Sequence, residues 1–173
     1  VSISPTTLKT YIDYLSEAFL LESANRYDVK GKRYISTPLK YYFTDLGLRN
    51  VLLNFRQYEE AHLMENAIYN ELRLRGWNVD VGMVVVNSRN EQGVSQRKQL
   101  EIDFVCNKGN KRCYIQSALS LPDEEKVLQE INSLQRIDDS FEKIVIVGGH
   151  AKPWINDNGI RFVNVYDFML NDD

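Results

Sequence analysis

Cysteine and histidine are scarce in this 173-residue chain, two of each, and the scarcity closes several routes at once. Two cysteines cannot build a disulfide framework, and a structural zinc site needs about four clustered Cys or His ligands, which the sequence does not supply. No Ser/His/Asp or Cys/His constellation can be defended around His62 or His150, which read as packing or surface residues. Apolar runs stop far short of the roughly 20 residues that cross a bilayer, and no charged-then-apolar leader opens the chain. Cytoplasmic residence is the resulting expectation. The sequence starts on Val1 in polar, loop-like material, which points to polypeptide upstream.

What is present is an ordinary globular mixture, 43% hydrophobic and 26% charged, able to bury a core. The net charge of −3 is unevenly spread. Residues 1–58 hold eight Lys/Arg against five Asp/Glu, and the remainder thirteen against nineteen. Such asymmetry predicts two units, residues 1–57 and 58–173, with any polyanion contact on the first.

In the first unit, Ser4 and Pro5 mark a helix start. Leu8, Tyr11, Ile12, Leu15 and Phe19 then recur at helical spacing, giving residues 5–18 an apolar face. Strand-like sequence follows at 19–23, a turn at 28–32, and a returning strand in two pieces, 33–36 and 40–43. Thr44 or Asp45 caps a short helix ending at Leu53. A helix, a basic hairpin and a helix form the pattern of a partial winged helix. Arg26, Lys30, Lys32, Arg33 and Lys40 fall within fifteen residues that contain one acid, Asp28. With Lys9 on the helix, they are the candidate nucleic-acid ligands, because Lys and Arg neutralise phosphates. Asp13 and Glu17 oppose Lys9, and Tyr27, Tyr34, Tyr41 and Tyr42 suit packing as well as stacking. DNA and a protein partner are therefore both open for this unit.

The second unit reads as a helix over 60–75 ended by Gly76, then strand alternation at Val79, Val81, Met83 and Val85. A polar stretch from 88 to 99 is expected to be a mobile loop. Strands at 100–106 and 112–119 flank a Lys-Gly-Asn turn, so that Cys106 and Cys113 face each other as reduced, half-buried thiols. A helix over 122–137, strands at 143–147 and 160–165, and a helical turn at 166–170 complete an α/β fold with a mixed sheet. Val147-Gly148-Gly149 imitates the start of a phosphate loop, but the GxxxxGK[ST] pattern is absent, so ATP binding by these residues is not expected.

The chemistry concentrates at Glu101-Ile102-Asp103-Phe104. Alternation places Glu101 and Asp103 on one face of a strand and Leu100, Ile102 and Phe104 on the other, with Gln116 and Ala118 sharing a face of the next strand. Glu65 and Glu71 lie on the preceding helix. This order resembles the PD-(D/E)XK nuclease superfamily, with its restriction-endonuclease-like core. More narrowly, Met64-Glu65-Asn66-Ala67-Ile68-Tyr69-Asn70-Glu71-Leu72 followed by Glu101-Ile102-Asp103-Phe104 is similar to the C-terminal domain of a family of AAA-type ATPases. In that family a P-loop ATPase precedes a winged helix and the nuclease-like domain, and the resemblance runs from about Thr6 onward.

The resemblance implies that Glu65, Asp103 and Gln116 stand at catalytic positions, with Glu65 and Asp103 as Mg²⁺ ligands if the site is active. It also exposes two departures. Gln116 replaces a second carboxylate, and Ala118 stands where a catalytic lysine belongs. The implied function is accessory: a region of an ATPase that contacts DNA or a protein partner, with a non-cleaving nuclease-like domain and ATP bound on the missing N-terminal part. Two alternatives remain, a Mg²⁺-dependent DNA endonuclease with a relocated lysine, for which Lys126 is the candidate, and a pure protein-interaction module.

Overall fold

The computed structural model describes residues 3–89 and 95–171. Helix α1 (Pro5–Glu17) begins where Ser4 Oγ accepts the Thr7 backbone N–H at 3.1 Å, satisfying one of the donors left free at a helix start. Phe19, with φ 57°, turns the chain out of the helix and into β1 (Leu21–Asp28). The two expected pieces of returning strand are one, β2 (Arg33–Phe43), which accommodates Pro38 because it is the edge strand of the sheet. Asp45, rather than Thr44, caps α2 (Leu46–Leu52) by accepting from the Leu48 N–H. The long helix α3 (Glu60–Leu74) stops at Gly76, whose φ of 78° suits a residue without a Cβ.

Strands β3 (Asn78–Arg89) and β4 (Ser95–Lys108) form a long hairpin arm, and β5 (Lys111–Ala118) returns beside β4. Helix α4 (Glu124–Gln135), capped by Asp123, crosses over to β6 (Glu142–Val147). Strands β7 (Trp154–Ile155) and β8 (Arg161–Asn164) and helix α5 (Val165–Leu170) follow. The stretch expected to be a loop at 88–99 is corrected in its described part. Pairing continues from Val86–Lys98 to Arg89–Ser95, because backbone hydrogen bonds hold an exposed hairpin arm without needing an apolar face. Residues 90–94, on which part of that expectation falls, lie outside the described residues. Strand β7 had no periodic signal; it is held by Trp154 stacking on Phe162 at 4.3 Å.

Among the described residues, eight strands form one mixed sheet in the order β2-β1-β3-β4-β5-β6-β8-β7. The expected boundary near residue 57 falls between α2 and α3, and the sheet continues across it, since β1 runs parallel to β3 with Arg26 beside Val81. One face of the sheet packs Ile68, Tyr69 and Leu72 of α3 onto Phe104, Ile115 and Ile146. The other packs Ile131 and Leu134 of α4 onto Ile102, Val105, Tyr114 and Val145. Among the described residues, no helix is long and apolar enough to cross a membrane.

A β-bulge in β4 shapes everything that follows. Pairing moves from Asp80–Val105 to Gly82–Ile102, so Val81 faces both Asp103 and Phe104. Simple alternation would send Phe104 to the side of Ile102. Instead Phe104 packs on the α3 side, near Tyr42 and Tyr69, which corrects the expected face assignment. The bulge draws Ile102 and Val105 together over Gly82, where a Cβ would lie 2.7 Å from Val105 Cγ2 and 2.9 Å from Ile102 Cβ. Only glycine fits there.

Candidate functional site

Four elements converge on the α3 side of the sheet. Helix α3 contributes Glu65, β4 contributes Glu101 and Asp103, β2 contributes Lys40 and Tyr42, and β1 contributes Arg26. The β1–β2 register explains why the hairpin reaches the site. Lys40 lies opposite Ala24 and Tyr42 opposite Glu22, and the small Ala24 is itself buried under α3.

The Lys40 ammonium stands 2.6 Å from Glu65 Oε1 and 3.1 Å from Glu101 Oε1. Tyr42 donates its hydroxyl to the same Glu65 oxygen at 2.7 Å, and Arg26 donates to Glu101 Oε2 at 2.7 Å. Burial pulls the Lys40 pKa down, but the charges of Glu65, Asp103 and Glu101 outweigh it, and the amine is held protonated above the usual lysine range. Burial likewise pushes Glu101 up, yet its bonds to Arg26 and Lys40 leave it below the usual carboxylate range. The Tyr42 hydroxyl, buried beside Glu65, is raised and stays a donor.

Asp103 behaves differently. It is 9% exposed, and its Oδ2 accepts the Ser117 backbone N–H at 2.7 Å, just past the last β4–β5 pair, Phe104–Ile115. Burial and then the charge of Glu65 push its carboxyl up to about 7, against the opposing pull of the Ser117 N–H and Lys40. The cluster thus sets the carboxylates of Glu65, Glu101 and Asp103 against the cations of Lys40 and Arg26, and Asp103 is the acid pushed toward its protonated form. The charge of the cluster is nearly closed from within.

The structure brings together Glu65 and Asp103 of the expected catalytic set and adds Glu101, Lys40, Arg26 and Tyr42. It does not bring Gln116. That residue sits in register with Val145, between Tyr114 and Ala118, and all three pack on the α4 side. The Gln116 Oε1 atom is buried there without a hydrogen-bond partner among the described residues. Lys126 is on α4 as well, paired with Glu130 at 2.5 Å, across the sheet from the acids. Glu71 is paired with Arg75. A magnesium ion fits this arrangement poorly, because the space between Glu65 and Glu101 is taken by the Lys40 ammonium. Among the described residues, no group of three or more His, Cys, Asp or Glu is set to hold a metal.

The candidate nucleic-acid ligands divide into two sets. Arg26 and Lys40 are turned inward onto the acids, and Lys9 pairs with Asp13 along its own helix at 2.7 Å. Lys30, Lys32 and Arg33 are exposed at the β1–β2 turn, with Asp28 3.7 Å from Arg33. The Val29 N–H donates to the Met83 carbonyl, which seats this turn beside β3 where Val86 and Asn87 pair with Lys98 and Arg97. Exposed Arg97 and Lys98 thus share one end of the sheet with the turn. Sequence reasoning passed over them because their stretch read as loop; the adjacent cations were the available signal.

Residues 1–59 match the model of a domain of unknown function, DUF8612. The chain is 33% identical over 170 residues to an uncharacterized protein of Haemophilus influenzae, covering 98% of this chain and 38% of that protein. It is 26% identical over 169 residues to an uncharacterized protein of Methanocaldococcus jannaschii, covering 95% of this chain and 34% of that one. No solved structure matches the chain significantly. The chain spans between a third and two fifths of the length of these relatives.

Proposed function

We propose that this chain is an accessory, non-cleaving region of a longer AAA-type ATPase, and that it holds DNA through the basic end of its sheet. The observation that carries the reading is the division of the hairpin's cations. Lys40 and Arg26 neutralise the acids that a nuclease would use for metal, while Lys30, Lys32 and Arg33 remain at the surface. The order of α3, the β3–β4–β5 meander, α4 and a parallel β6 supports the restriction-endonuclease-like identity as a scaffold. Fold alone does not confer cleavage, and a lysine held between carboxylates is neither a base nor a partner for the attacking water.

The test is binding of a short DNA duplex followed by anisotropy across a salt series, with plasmid nicking in Mg²⁺ and Mn²⁺ run beside it. Three to five phosphate contacts give a slope of log affinity on log salt of roughly −2.7 to −4.5, and Lys30→Glu/Lys32→Glu/Arg33→Glu should flatten it. Unchanged binding by that variant removes the basic end from the model. Nicking by wild type that Asp103→Ala abolishes makes the chain an endonuclease instead. Neither binding nor nicking leaves the protein-interaction module.

A further inference from the structure

Helix α1 buries none of its residues. Leu8, Tyr11 and Leu15 line one strip of it at 52%, 56% and 40% exposure, with Tyr14 beside them at 60%. Phe19, just past its end, is 83% exposed and sits in the left-handed region, where a non-glycine residue is strained. Isolated helices of this length are marginal in water, and most helical stability in proteins comes from packing an apolar face. Contiguous exposed apolar surface of this kind marks a contact rather than a solvated side.

We infer that this face is covered by polypeptide of the same longer protein, lying outside the residues matched here, and that an apolar surface of that polypeptide packs against Leu8, Tyr11, Leu15 and Phe19. The inference rests on the proposed place of this chain within a larger protein. What supports that occupant is length. Both relatives match this chain almost end to end, yet more than half of each lies beyond it, which supplies a tethered partner at high effective concentration. The strip carries little charge to attract a polyanion, its one lysine being paired with Asp13. DNA is thereby disfavoured on this helix even where it is favoured at the basic end.

Hydrogen–deuterium exchange separates the possibilities. In the 173-residue chain the α1 amides should exchange as in a fraying helix. In the full-length Haemophilus influenzae relative, the helix aligned with α1 should exchange at least tenfold more slowly. Leu8→Asp/Tyr11→Asp/Tyr14→Asp in the 173-residue chain should leave its unfolding midpoint within roughly two degrees, since each of these side chains is more than half exposed in it. Equal exchange in the two proteins overturns the inference. So does light scattering that shows a dimer of the 173-residue chain dissolved by the triple variant, because the occupant is then a second copy. A midpoint that falls steeply in a monomeric chain also overturns it, by showing that the strip is already packed. None of these readouts depends on DNA binding or cleavage, so this inference and the proposed function can fail separately.

Discussion

Lys40 Nζ and Glu65 Oε1 are 2.6 Å apart, and that contact joins the edge hairpin to the first helix of the α/β layer. Glu65 is 9% exposed, so its charge depends on this one ammonium and the Tyr42 hydroxyl. Lys40→Met leaves the carboxylate buried without its cation. The expected loss is about 2–3 kcal/mol, less than for a fully buried pair because the lysine side chain is partly exposed. Urea unfolding measures it, and pairing the change with Glu65→Gln should recover part of the loss. A loss below about 0.5 kcal/mol, typical of surface pairs, would show that the contact contributes nothing.

Asp103 sets a pH dependence of defined sign. Its folded pKa, about 7, lies above the ordinary 3.8, so between these values the native state binds more protons than the unfolded chain. Stability contributed by this group is present below the lower value and declines as pH rises toward 7. The slope approaches about 1.4 kcal/mol per pH unit at its steepest. Asp103→Asn keeps an oxygen for the Ser117 N–H and has no proton to lose. Denaturant midpoints between pH 4.5 and 8 should therefore fall in wild type and stay flatter in the variant; parallel curves would remove Asp103 as the cause.

How much of this could be read from the sequence depends on range. Caps at Ser4, Asp45 and Asp123, the stop at Gly76 and the Cys106–Cys113 opposition are local events, each fixed by a few neighbouring residues. Glu65 and Asp103 were legible as a pair because helix-then-strand order survives in the sequence. Lys40 was legible only as a charge. Its arrival at Glu65 needs the parallel β1–β3 pairing, a non-local step with no periodic signature. Gln116 failed for the opposite reason: its strand was correctly read, but the side of the sheet it faces is set by β6 and the core under α4.

Gly82→Ala tests the bulge. The added methyl group would meet Val105 Cγ2 and Ile102 Cβ at less than 3 Å, both anchored in the sheet. Overpacking of this kind costs roughly 1–3 kcal/mol. If the thermal midpoint is unchanged, the close approach of those two strands is wrong.

The thiols should be inert in the folded protein. Cys106 and Cys113 are 0% and 5% exposed, and burial raises the Cys106 thiol well above its ordinary range, reinforced by its bond to Cys113. Thiolate is the reactive form, so a disulfide reagent should label both residues only as fast as the sheet opens. Labelling that outpaces unfolding by orders of magnitude would contradict their placement.

The bulge gives β4 two phases along its length. Before it, odd-numbered residues such as Glu101 look toward α3; after it, even-numbered ones such as Phe104 and Cys106 do. Removing a single residue there would put the strand back in one phase, and the acids and the thiol could not both keep their side. A change of length by one residue between Glu101 and Cys106 would therefore move every side chain on one side of it to the opposite face of the sheet.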